Sequence, residues 1–294
     1  MYFLRLLVVA SIVVPYNAFL FQNSLMRFIF RRMTPDANWP TVKDEFKPME
    51  KHRYFDPDVE FPEYYRRDFH AYTGGNLNPI ASKEAMSATS AVMDHHYKHL
   101  SGEESSHYIR RVHSVMSLGR SIDEMENSEN KIVVDFGCGI GVSTRYLSDD
   151  FKNANVTGID LSPLFLEETE GVDAEFVHGN IENTGIESGS VDVVSISYVL
   201  HELPYDVSMR VVSEAYRILK PGTGVFSILD MHNPSSSSPV MKYIFDRTEP
   251  YLQEYSYLLK NMSRDLQYSG FRDVRITTEF PKTIMVLCSK KRVL

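Results

Sequence analysis

The run Val133-Val134-Asp135-Phe136-Gly137-Cys138-Gly139-Ile140-Gly141, followed by Gly158-Ile159-Asp160, constrains the fold of this chain more than any other feature. Its apolar start ending in an acid reads as a buried strand. The alternating glycines read as a tight turn into a helix, because glycine tolerates positive φ and lets a ligand come close to the backbone. A second strand that also closes on an acid completes one strand-helix-strand unit of a parallel sheet. The spacing departs from the dinucleotide pattern G-x-G-x-x-G, since the third glycine comes one residue early and position 142 is Val. Asp135 would moreover stand against a pyrophosphate, so a nicotinamide-dependent dehydrogenase conflicts with the motif.

An acid at that place suits a cationic ligand. The methionyl tail of S-adenosyl-L-methionine carries an ammonium and a sulfonium, so the Asp135 carboxylate is favourable near it, directly or through water. Gly137, Cys138, Gly139 and Gly141 form the turn against which such a cofactor would lie. Asp160, with Leu161 beside it, is placed to accept both ribose hydroxyls, as the equivalent acid does in nucleotide folds. The plainer reading is a glycine-rich turn with two surface acids, but strand, acid, glycines, helix, strand and acid fall here in order.

From about Lys131 to Lys290 the chain resembles a class I S-adenosylmethionine-dependent methyltransferase. Ser197-Tyr198-Val199-Leu200-His201-Glu202-Leu203-Pro204 and Arg217-Ile218-Leu219-Lys220-Pro221-Gly222 resemble the small-molecule branch, of the methyltransferase type 11 or ubiquinone-menaquinone C-methyltransferase kind. The resemblance implies an α/β fold: a Rossmann-like, doubly wound, mostly parallel seven-stranded sheet with an N-terminal helical and aromatic extension. It implies cofactor contacts from Asn180 and Ile181, where the family usually has an acid. Asn180 can still accept from the adenine amino group through its side-chain oxygen. It also puts the transferable methyl near Ser197 and Tyr198. Tyr198 and His201 are the candidate catalytic residues, His201 as a general base because an unperturbed imidazole titrates near neutrality. The competing reading is that His201-Glu202-Leu203-Pro204 opens a loop and helix, with Glu202 favourable near the helix N-terminus.

The hydrophobic pattern agrees with that architecture. Strands are expected near Ile132 to Phe136, Val156 to Ile159, Ala174 to Val177, Val191 to Ser197 and Gly224 to Asp230, with helices between most of them. Val207, Val211, Val212, Ala215, Ile218 and Leu219 form an apolar stripe stopped by Lys220-Pro221-Gly222. After a helix around Pro250 to Ser269, Val274 to Glu279 and Thr283 to Ser289 read as a final pair, the last strand antiparallel as in the family. Two lead-in helices precede the sheet, over Ile80 to His99 and along Tyr108, Ile109, Val112, Val115, Met116, Ile122 and Met125. Asp94-His95-His96, His99 and His107 lie on these helices. Adjacent histidines point in different directions and no carboxylate cluster completes a ligand set, so no metal site is expected there.

Composition bounds the function. With 43% hydrophobic and 12% aromatic residues in 294, the chain can build an enzyme-sized core. A net charge of -8 without a basic stripe leaves no electrostatic footprint for nucleic acid. Cys138 and Cys288 suit buried thiols better than a disulfide framework.

Three regions are expected: a targeting presequence over 1–35, an extension with lid helices over 36–130, and the cofactor-binding domain over 131–294. No acid precedes Asp36, while Arg5, Arg27, Arg31 and Arg32 are basic. Leu6 to Val14 is an apolar stretch of signal-peptide length with a cleavage region at Ala18-Phe19. The aromatic start and acid-free continuation after it resemble the two-part plastid presequences of diatoms and related algae. Secretion, an endoplasmic-reticulum anchor or a mitochondrial location are the alternatives. Between Asp36 and Pro79, aromatics gather around Phe61 to Tyr65 and Phe69 to Tyr72, beside Gly74-Gly75. That segment can cover an active site or simply pack the extension onto the domain.

The function these features point to is methyl transfer to oxygen or carbon of a small hydrophobic acceptor, such as a quinone, prenyl-lipid or polyketide-like compound. The alternative is a non-catalytic S-adenosylmethionine-binding assembly or regulatory protein. Membrane association would come through the acceptor or the N-terminal arm, and the pattern fixes no oligomeric state.

Overall fold

The computed structural model describes residues 23, 27–28, 31–32, 34–41, 47–93, 97, 99–121, 130–232, 246–280 and 282–291. Leu6 to Val14, the Ala18-Phe19 junction and Asp94-His95-His96 lie outside the described residues, as do Ile122 and Met125. Among the described residues no helix is long and apolar enough to cross a membrane.

The centre of the fold is one seven-stranded sheet. Its strands are β1 (Ile132–Phe136), β2 (Asn155–Asp160), β3 (Glu175–His178), β4 (Val193–Ser197), β5 (Val225–Met231), β6 (Phe271–Thr277) and β7 (Thr283–Lys290). The order is β3-β2-β1-β4-β5-β7-β6. The first five strands pair in parallel, and β7 runs antiparallel between β5 and β6. The two central parallel strands are buried along nearly their whole length, which explains why their sequences read as continuous apolar runs rather than alternating ones. Strand order reverses between β1 and β4, so the crevice for a ligand opens beyond their carboxyl ends.

Helices close both faces. The helix Tyr205–Ile218 follows Pro204, carries Asp206 in its first turn and Arg217 in its last, and buries Val207, Val211, Val212, Ala215 and Ile218 on one side. That acid-first, base-last arrangement complements the helix dipole, and the apolar face enters the same core as Phe136, Ile196 and Ile228. The helix Leu252–Tyr268 packs into this core through Tyr255, Leu258, Met262 and Leu266.

The lead-in helices are Pro79–Met93 and Gly102–Ser121. The second differs from its sequence pattern. Ile109 is buried, but Tyr108 and Val115 are half exposed, and the buried face is instead made of serines and one histidine. His113 Nε2 meets Ser227 Oγ at 2.6 Å, and Ser117 Oγ lies 2.6 Å from the same hydroxyl. Small side chains let this helix lie close to β5, and the polar pairs satisfy one another in the dry interface. Thus residues placed before the domain junction by sequence form a layer over the sheet.

The extension is ordered by short helical turns and by aromatic contacts. Phe55 stacks on His178 with ring centroids 5.9 Å apart, and the Asp56 N–H donates to His178 Nδ1 at 3.0 Å. The Tyr64 hydroxyl donates to Glu182 at 2.7 Å, and Ser162 donates to the Asn76 carbonyl at 2.7 Å. These contacts hold the extension across the carboxyl ends of β2 and β3.

Candidate active site

A cavity of about 520 Å³ opens where the strand order reverses. Its floor is the turn after β1. Gly137 has φ 64°, and a Cβ built there would fall 2.5 Å from Val199 Cγ2. Gly158 on β2 likewise leaves no room, since a Cβ would come within 2.9 Å of Cys138 and Phe176. Both close approaches require glycine.

Asp160 ends β2 on the cavity wall. Its Oδ2 accepts the Gly139 N–H and its Oδ1 the Ser162 N–H, each at 2.8 Å. Burial pushes its carboxyl up to about 6, with Glu202 and Asp135 adding to the rise and the two N–H groups opposing it. Each oxygen retains acceptor capacity for a further donor.

Asp135 is placed differently from the expectation. It is fully buried beneath the turn and does not line the cavity; its Oδ2 accepts from Ser143 Oγ and Thr144 Oγ1, both at 2.7 Å. Burial raises its carboxyl to about 6 against those hydrogen bonds. The physical reason is register: Asp135 lies opposite Gly158 and Ser195 within the sheet, so its side chain meets the start of the helix Val142–Asp150 and not a ligand. Ser143 does line the cavity, with its hydroxyl donating to Asp135. Gly141 is also behind the wall, as the left-handed residue preceding that helix.

The other expected cofactor residues, Cys138, Gly139, Leu161, Asn180, Ile181 and Ser197, all border the cavity. Both thiols are unbridged and buried, and burial pushes Cys138 well up. Asn180 Oδ1 takes the Glu182 N–H at 2.9 Å and keeps one lone pair for a second donor.

Tyr198 turns the corner after β4 with φ 57°, an uncommon conformation for a bulky residue. The Arg110 guanidinium sits 4.8 Å from its ring centroid, on the cavity wall. Arg110 was not singled out from sequence; on a helix expected only to lead in, an arginine reads as a solvated one.

His201 is 5% exposed, and its Nδ1 lies 2.7 Å from Asp230 Oδ1. Burial works against its charged form, but Asp230 and Glu202 raise its pKa overall. Glu202 closes the short helical turn Leu200–Glu202, ahead of the helix Tyr205–Ile218. It accepts from His70 Nε2 and Asn76 Nδ2, both at 2.9 Å, so the extension is tied directly to the turn after β4. His70, Asn76 and Glu249 were missed because nothing in the sequence links positions so far apart.

The remaining cavity walls are apolar and aromatic, with Tyr65, Tyr72, Met86, Val92 and Met93 from the extension and first helix. Arg27, Thr34 and Trp39 complete that side. Arg27 and Arg31 reach Glu84 at 3.8 and 3.2 Å, and Glu84 also accepts from the Tyr72 hydroxyl at 2.8 Å. The basic arm therefore contributes to the wall of the site.

Residues 133–222 match the family model of a methyltransferase domain. An uncharacterised methyltransferase of Synechocystis is 33% identical over 117 residues, covering 39% of this chain and 54% of its own length. A demethylmenaquinone methyltransferase of Lactococcus lactis is 34% identical over 122 residues, covering 39% of this chain and 46% of its own. The chain thus spans about half the length of the curated relatives it matches. The crystal structure of the CurJ carbon methyltransferase is similar in fold, with a TM-score of 0.54 at 14% identity, over 74% of this chain and 62% of that one.

The residues lining the cavity fit S-adenosylmethionine. Asp160 offers two carboxylate oxygens with spare acceptor capacity for a pair of hydroxyls, beside glycines too crowded to carry a side chain. Arg110 supplies a cation suited to a carboxylate, and Asn180 an acceptor suited to an amine.

Proposed function

We propose that this chain transfers a methyl group from S-adenosylmethionine to oxygen or carbon of a small hydrophobic acceptor, of quinone, prenyl-lipid or polyketide-like type. The observation that carries the reading is the continuity of one cavity, with the Asp160 and glycine cradle at one end and apolar walls from the extension at the other. The demethylmenaquinone relative supports a hydrophobic ring acceptor.

The cofactor supplies a methyl group on a sulfonium whose leaving group is neutral, so the protein's work is positioning. Asp160 would hold the ribose, Asn180 the adenine, and Ser143 with Arg110 the amino-acid end. Ser197 and Tyr198 border the space left for methyl and acceptor. Holding both reactants aligned in a water-poor cavity is worth on the order of 7–11 kcal/mol. Where the acceptor carries a proton, the imidazole and carboxylate cluster around His201 is the group of side chains able to receive it. The acid-free arm supports delivery to a plastid, which a fluorescent fusion of residues 1–35 would test against secretory retention.

The test is incubation with methyl-labelled S-adenosylmethionine and a lipid extract. Label in the lipid fraction, with S-adenosylhomocysteine released and both abolished in Asp160→Ala, is the expected result. Label only in protein or RNA would overturn the acceptor class. Cofactor binding without S-adenosylhomocysteine formation would favour a non-catalytic binding protein.

A further inference from the structure

Five ionisable side chains from four separate parts of the chain meet at one wall of the cavity. His70 comes from the extension, His201 and Glu202 from the turn after β4, Asp230 from β5, and Glu249 from the approach to the last long helix. His70 Nδ1 lies 3.0 Å from Glu249 Oε1, and His70 Nε2 lies 2.9 Å from Glu202 Oε1. His201 Nε2 is 4.0 Å from that same Glu202 oxygen.

Two features set this cluster apart from an ordinary ion pair. Glu249 is 5% exposed; its Oε1 is shared by His70 and the Thr248 hydroxyl, whereas its Oε2 is buried without a hydrogen-bond partner. A buried carboxylate oxygen left unpaired is costly, and a cation bound to it would remove that cost. His201, for its part, has Nδ1 fixed by Asp230, which leaves Nε2 as its ligating atom. A histidine braced by a carboxylate on its far nitrogen is the usual arrangement of a metal-binding imidazole. The backbone adds to the case, because His70 and Ala71 both have positive φ, at 52° and 65°, so the chain accepts strain to aim His70 at the cluster.

One donor atom each from His70, His201 and Glu249 lies within 4.8 Å of the others. Bonds of about 2.0–2.2 Å need donors no more than roughly 4 Å apart, so the cluster must contract slightly around an ion. His70 is the most exposed of the three, its side chain 35% exposed against 6% for His201 and 4% for Glu249.

We infer that His70, His201 and Glu249 form a binding site for a divalent first-row transition cation. Two imidazoles with one carboxylate suit zinc, cobalt or iron better than magnesium. All three residues border the cavity, so an open coordination position would face the acceptor and would suit one bearing an oxygen. That role rests on the proposed methyl transfer; the site itself does not.

The full-length protein, stripped with chelator, would be titrated with Co²⁺ alone and followed by metal analysis after dialysis and by the visible absorption of the bound ion. The expected result is one Co²⁺ per chain, displaced by Zn²⁺ but not by excess Mg²⁺. Binding should be lost in His70→Ala and Glu249→Gln, weakened about 10–100-fold in Asp230→Asn, and unchanged in His107→Ala. If a variant fails to fold, the wild-type chain still decides: Zn²⁺ should shift the ring signals of two histidines in its NMR spectrum. No bound metal at 1 mM Co²⁺, displacement by Mg²⁺, or equal binding in both ligand variants would overturn the site. S-adenosylmethionine binding is measured on the same samples, so loss of cofactor binding with cobalt binding intact would count against the proposed function and not against the metal site.

Discussion

The Glu84 carboxylate, fully buried on the first long helix, lies 3.2 Å from Arg31 Nη1 in the basic arm. Its second oxygen lies 3.8 Å from Arg27 Nε. A charge so deeply buried needs its partners, which makes Arg27 and Arg31 part of the folded unit.

Replacing Arg27 and Arg31 together by alanine should therefore destabilise the chain by about 2–3 kcal/mol, less than the ~3–5 kcal/mol of a fully buried pair because both guanidiniums are about one-third exposed. Adding Glu84→Gln to that double variant should restore most of the loss, since the uncompensated charge is then gone. Denaturant unfolding measures both steps. An unchanged midpoint in the double variant would mean that the arm does not dock.

Cofactor affinity should fall on acidification. Asp160 titrates at about 6 in the folded chain, well above an ordinary aspartate, so it is protonated below that pH and can no longer accept two hydroxyls as an anion. S-adenosylmethionine affinity should drop about tenfold per pH unit below 6. The free protein shows the opposite sign: a raised carboxylate pKa makes the folded state gain stability as pH falls from about 6 toward the unfolded value. Affinity independent of pH between 7 and 5 would contradict the assigned role.

Acid sensitivity of the fold itself should come from His113. Burial first, then Arg110, pushes its pKa down to about 3, so the folded state keeps this imidazole neutral while the unfolded chain protonates below about 6.5. Stability from this group is full above 6.5 and is lost, at up to about 1.4 kcal/mol per unit, as pH falls toward 3. Asp135 and Asp160 act in the opposite direction below 6, so the difference between wild type and His113→Asn isolates the histidine. That difference should shrink between pH 6.5 and 4.

Gly137→Ala should keep the overall fold but damage the cradle, because the new methyl meets Val199 at 2.5 Å on a backbone with φ 64°. Cofactor affinity should fall at least about tenfold with a stability loss of about 1–3 kcal/mol. Calorimetry and thermal unfolding on the same sample separate the two effects.

The sheet was legible because buried parallel strands and their glycine turn are local patterns: Val133 to Gly141 announces strand, turn and helix within nine residues. The antiparallel last strand was available only through resemblance. The site was legible at Asp160 and around Ser197 for the same local reason. It was not legible where the cavity wall is built by meetings across the chain. His70 and Glu249 are separated by 179 positions, and no periodicity relates them. The helix over Gly102–Ser121 misled by its apolar residues, because close packing on β5 favours Ser114 and Ser117, whose small side chains carry no hydrophobic signal. Arg27 and Arg31 read as targeting composition, since a charge's buried partner cannot be seen in sequence.

The cavity should hold S-adenosylmethionine through Asp160. Calorimetric titration of the full-length protein with S-adenosylmethionine and with S-adenosylhomocysteine, alongside Asp160→Asn, tests it most directly. The expected result is one site per chain with micromolar affinity, weakened at least tenfold in the variant while its thermal unfolding stays cooperative. No heat of binding to the folded wild-type protein, or equal affinity in Asp160→Asn, would contradict it.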